Sequence, residues 1–100
     1  MLIITGTISI DPAKRAVLEA AFDKMRAATL KEPGCLAYQI YLDRTDPGTV
    51  LLFEKWESEE ALSGHFTSPH MAEFGKALGG AGVRGSDVKK YAVTGETKLM

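Results

Sequence analysis

The sequence predicts an α+β domain, an antiparallel sheet with its helices on one face. Three observations carry this. Stretches of period-2 and 3.6-residue periodicity follow in the order strand, helix, strand, strand, helices, strand. The two middle strands are separated by Asp46-Pro47-Gly48, which is turn chemistry and makes them a hairpin. One hundred residues, 45% hydrophobic and 25% charged, suit a single two-layer domain spanning residues 1–100.

Leu2 to Ile10 reads as the first strand, with Leu2, Ile4, Ile8 and Ile10 on the face that meets the helices. Gly6 interrupts that face and marks a bulge, plain packing or a ligand's approach to the backbone, a bulge or plain packing being favoured. Asp11-Pro12 caps and opens a long helix. Its apolar stripe is Val17, Leu18, Ala21, Phe22, Met25, Ala28 and Thr29, and Arg15, Glu19, Asp23 and Arg26 form a solvated face. Pro33-Gly34 ends it. Cys35 to Arg44 is the second strand, and the third runs from Thr49 to Glu57, with Leu52, Glu54 and Trp56 pointing one way. Ser58 caps a short helix bearing Ala61, Leu62, His65 and Phe66. Ser68-Pro69 then starts another, Pro69 to Leu78, bearing His70, Met71, Phe74, Ala77 and Leu78. Residues 79–85 read as a glycine-rich loop, and Val88 to about Lys98 as the last strand. This order is the split βαβ, ferredoxin-like arrangement.

Composition narrows the function. A net charge of −1 with both signs interspersed gives no electrostatic case for nucleic acid or an anionic membrane. The apolar runs are too short for a membrane span, and Met1 to Ile10 lacks the pattern of a signal peptide, so a cytoplasmic location is expected. The single Cys35 excludes an intrachain disulfide and a cysteine-built metal cage; a buried thiol is expected. There is no phosphate loop, dinucleotide fingerprint or nucleophile elbow.

The residues Glu54-Lys55-Trp56, Ala61-Leu62, His65 and Ser68-Pro69-His70, with Glu32-Pro33-Gly34-Cys35-Leu36-Ala37-Tyr38 upstream, resemble the core pattern of the antibiotic biosynthesis monooxygenase (ABM) domain family. The resemblance covers about Glu32 to Phe74. It implies a dimeric α+β barrel, in which two sheets meet on their helix-free faces as a homodimer. It also implies a cofactor-independent monooxygenase, which oxidises a quinol or polyphenol-type aromatic with O₂. Family members also include haem-degrading enzymes, a non-redox isomerase of a small signalling molecule, and domains without known activity. The isomerase and a non-catalytic dimeric binding domain are therefore the alternatives. Against haem degradation, Gly6 and Gly75 stand where those enzymes place an asparagine and a haem-ligating histidine.

Site residues follow from that region. His70, in the first turn of a helix, is the expected general base, because the dipole there favours the neutral ring; His65 is the second candidate. Trp56, Tyr38, Phe66 and Phe74 are expected to line a dry aromatic pocket, with Glu54 orienting a histidine or pairing with a cation. No metal is expected: on one continuous helix the two histidines would diverge by about 140°, and no third ligand has motif spacing. No cofactor is expected either, since an aromatic anion can itself pass an electron to O₂.

Overall fold

The computed structural model describes residues 1–100. Its order is β1 (Leu2–Ile10), a 3₁₀ turn (Pro12–Lys14), α1 (Arg15–Thr29), β2 (Cys35–Leu42), β3 (Thr49–Trp56), α2 (Glu59–Phe66), α3 (Pro69–Gly80) and β4 (Val83–Ala92). The strands form one antiparallel sheet in the order β2-β3-β1-β4. Ser58 and Ser68 cap α2 and α3 as expected, their side chains accepting from the backbone N–H of Ala61 and Met71. Asp11 accepts from Ala13 and caps the 3₁₀ turn, whereas α1 itself begins at Arg15 with no side-chain cap.

Register places Leu2 opposite Trp56, Ile4 opposite Glu54, and Tyr38 opposite the same Glu54. These side chains share the helix-covered face and are buried there. Two adjoining apolar clusters fill the layer. The larger joins Leu2, Ile4, Phe22, Met25, Tyr38, Trp56 and Leu62, and the smaller joins Ile10, Leu18, Val50 and Ala81. Phe22 stacks on Tyr38 with centroids 5.4 Å apart, and meets Phe74 edge-on at 6.1 Å. The opposite face has no helix. Ile3 and Phe53 are half-buried there, and Leu51, Tyr41 and Tyr91 are exposed.

The structure corrects several sequence expectations. β4 begins at Val83 and ends at Ala92, rather than running from Val88 to about Lys98. Gly79 and Gly80 belong to the last turn of α3, so the expected loop shrinks to a turn at Ala81-Gly82. The bulge in β1 lies between Ser9 and Ile10. At Gly6 the ladder is regular, and a Cβ would sit 1.9 Å from the Asp87 carbonyl oxygen, so glycine is there for packing against β4. Val17 is exposed rather than core, because α1 turns Leu18, Phe22, Met25 and Thr29 inward. Arg26 is not merely solvated: its Nε donates to the Tyr38 carbonyl at 2.8 Å, tying α1 to β2.

Candidate functional site

Two neighbouring acids, the part-buried Glu32 and the buried Glu54, organise the region singled out by the sequence. The first, Glu32, sits on the turn between α1 and β2. That turn closes at Gly34, whose φ of 84° lies in the left-handed region, and a Cβ there would be 2.5 Å from the Ala61 side chain. Glycine therefore lets α2 close down on the turn. The result brings His65 to Glu32: its Nδ1 lies 2.7 Å from Glu32 Oε2. His70 reaches the same oxygen from the first turn of α3, Nε2 to Oε2 2.9 Å. With both rings donating, one carboxylate oxygen joins three chain segments. His65 is 1% exposed and packs against Trp56, centroids 4.9 Å apart, and against Tyr38 at 5.5 Å.

The second acid, Glu54, points from β3 into the same layer and is 6% exposed. Its Oε1 accepts from the Trp56 indole N–H at 2.9 Å. That bond lowers its pKa, but burial outweighs it; with Glu32 adding to the upward push, the carboxyl is pushed up to about 7. Glu54 is part of the wall of a cavity of about 590 Å³ between the sheet and α2–α3. Ile4, Leu52, Leu62, Phe66, Met71 and Val88 supply its apolar walls. Lys90 stands at the rim beside Glu59, the two being paired at 2.8 Å.

The expected site residues therefore divide. Glu54 and Phe66 line this cavity. Trp56 and Tyr38 stand behind it in the core, Trp56 fixing the Glu54 carboxylate and Tyr38 opposite it in the ladder. Burial, reinforced by Glu54, pushes the Tyr38 phenol well above its usual range, so it stays neutral. His70 and Phe74 face a separate groove between α1 and α3 with Ala21, Lys24 and Met25. Neither histidine lines the Glu54 cavity. The orienting role expected of Glu54 toward a histidine belongs to Glu32, while Glu54 holds the indole. In the sequence Glu32 stands only as a motif position, because its partners lie 33 and 38 residues away. Burial, with Glu32 and Glu54 nearby, pushes the half-buried Cys35 thiol up to about 11, so it is an un-ionised thiol.

This geometry defines a class: a small α+β domain with an apolar cavity walled in part by a single buried carboxyl. Comparison with known proteins names the family. The model of the antibiotic biosynthesis monooxygenase family matches residues 1–77, and the chain belongs to that family. Its fold superposes with a TM-score of 0.90 on a Deinococcus radiodurans protein solved as a candidate antibiotic biosynthesis monooxygenase, at 28% identity, covering 100% of this chain and 99% of that one. Rv0793 from Mycobacterium tuberculosis superposes at 0.85 with 30% identity, covering 97% of this chain and 98% of the solved one. Escherichia coli YgiN, named a probable quinol monooxygenase, is 31% identical over 91 residues, 80% of this chain and 86% of its own. The matches to an uncharacterised Synechocystis protein and to the curated Rv0793 sequence span 67% and 66% of those relatives. No helix is long and apolar enough to cross a membrane.

Proposed function

We propose that the protein is a monooxygenase that oxidises an electron-rich hydroxy-aromatic of the quinol type with O₂, and that Glu54 is its general base. The single observation that carries this is a buried carboxyl, with a pKa near neutrality, in the wall of an apolar cavity large enough for an aromatic molecule. Family membership and the name of YgiN support the reaction class. The expected bases, His70 and His65, are occupied by Glu32 and lie outside the cavity, which shifts the role to Glu54.

The chemistry follows from the carboxylate. Glu54 takes the hydroxyl proton, and the aromatic anion so formed passes one electron to O₂. Recombination forms a carbon–oxygen bond to give a peroxide. The O–O bond then breaks: one oxygen stays as a new carbonyl, and the other leaves as water with the substrate's hydrogens. The substrate supplies the electrons. The chain supplies a proton acceptor and a dry wall of Ile4, Leu62, Phe66 and Met71 that shields the radical pair. The Trp56 indole N–H stays on the carboxylate and keeps it aimed.

The second sheet face fits a second copy of the chain. Ile3, Phe53, Leu51, Tyr41 and Tyr91 form an apolar helix-free face, and a homodimer burying on the order of 1,600 Å² in total would cover it. Sedimentation as a monomer at micromolar concentration would contradict that pairing.

Oxygen consumption is the test of function. Pure protein with a naphthoquinol and no added cofactor should consume O₂ and form the oxidised quinone faster than the protein-free control. Substrate isomerised without oxygen uptake would make Glu54 a proton-transfer base in an isomerase; no turnover across hydroxy-aromatics would make the cavity a binding site only.

A further inference from the structure

Glu32, His65 and His70 bring three donor atoms of metal-ligating type together, both ring nitrogens at hydrogen-bond distance from one carboxylate oxygen. Glu32 Oε2, His65 Nδ1 and His70 Nε2 all lie within 4.8 Å of one another. Two imidazole nitrogens and one carboxylate oxygen are the borderline donors that suit zinc and its neighbours, and suit magnesium or calcium poorly. The cluster is a convergence of three segments: the α1–β2 turn, the end of α2 and the start of α3. No sequence spacing encodes it.

The dimensions are near those of a bound ion. In a tetrahedral site with bonds of about 2.0–2.1 Å, neighbouring ligand atoms stand about 3.3 Å apart. The two contacts to Glu32 are 2.7 and 2.9 Å, so each has to open by about half an ångström. The parts able to give are the right ones. His65 is wedged against Trp56 and Tyr38, but the His70 and Glu32 side chains are 20% and 15% exposed. The cluster thus has one fixed ligand and two adjustable ones, and its partly exposed side admits water to complete the coordination. Each neutral ring keeps one proton and moves it to the other nitrogen when the metal takes its place.

We propose that Glu32 Oε2, His65 Nδ1 and His70 Nε2 bind one divalent transition-metal ion of the zinc class. The ion would clamp the α1–β2 turn to both helices. Because neither histidine lines the Glu54 cavity, the site is structural and stands apart from the proposed oxidation.

The test uses the full, untagged chain stripped with a chelator. It is titrated with Zn²⁺ by calorimetry and with Co²⁺ by visible absorption. The expected result is one ion per chain at micromolar affinity or better, Co²⁺ bands of a four- or five-coordinate site, and a higher unfolding temperature. His70→Ala and Glu32→Gln should each weaken binding by more than about tenfold, since losing even an outer-shell partner costs that much. Glu73→Gln, an acid in the groove beside His70, should leave it unchanged. Circular dichroism establishes that the metal-free variants are folded. Absence of stoichiometric binding by the wild-type chain overturns the proposal, as does affinity unchanged in both His70→Ala and Glu32→Gln.

Discussion

The part-buried Glu32 and the buried Glu54 share one structural layer and differ in their partners. Glu32 receives two imidazoles on one oxygen. Glu54 receives one indole N–H and otherwise meets desolvation, which pushes its pKa up to about 7. Partner number decides the role. An acid that accepts from two separate helices locks elements together; an acid with one donor, in the wall of an apolar cavity, is poised to exchange a proton. The region's histidines belong to the first kind of site, although histidine is the commoner base in general.

The sharpest way to break this comparison is to neutralise Glu54. Glu54→Gln keeps an oxygen to accept the Trp56 indole but cannot take a proton, so oxidation should fall by roughly 10²–10⁴-fold. Quinol turnover under saturating O₂ reads this directly. The same variant should be more stable than the wild type in mild alkali. Glu54's folded pKa is raised, so the wild type loses stability as pH climbs from the ordinary carboxyl value through about 7. The penalty is on the order of 3 kcal/mol above that range, and Glu54→Gln should remove it at pH 8 and match the wild type's stability in acid. Denaturant melts at the two pH values check the sign.

His70→Ala sharpens the contrast from the other side. It takes one donor from Glu32, and should cost about 1–2 kcal/mol of stability while oxidation stays close to wild type. Loss of activity with stability intact would return the base to the histidine. The smallest effect is expected at Thr29, whose Oγ1 is buried without a hydrogen-bond partner. Thr29→Val should be neutral or stabilising by up to about 1 kcal/mol, which thermal unfolding reads.

Local features were legible in the sequence and convergence was not. Ser58, Ser68 and Asp11 announced helix starts because capping is a contact across two or three residues. Alternation in the third strand put Glu54 and Trp56 on one face, and the structure joins them by a hydrogen bond. The meeting of Glu32 with His65 and His70 was invisible, since it depends on how Gly34 lets α2 approach the turn. Without that partner, His70 read as a free base at a helix start. Glycine content misplaced the last strand for a related reason. Gly85 pairs with Ser9 in the ladder, and nothing is within 4 Å of where its Cβ would be, so an outer strand accepts it.

The most direct test of the Glu54 assignment is the pH dependence of oxidation in the wild type and in Trp56→Phe. The wild-type rate should rise with pH through a midpoint near 7, as the Glu54 carboxyl ionises. The Trp56 hydrogen bond lowers that pKa, so removing the indole N–H should move the midpoint to higher pH. His70→Ala should leave the midpoint in place. A midpoint that stays fixed in Trp56→Phe, or that disappears in His70→Ala, would contradict Glu54 as the base.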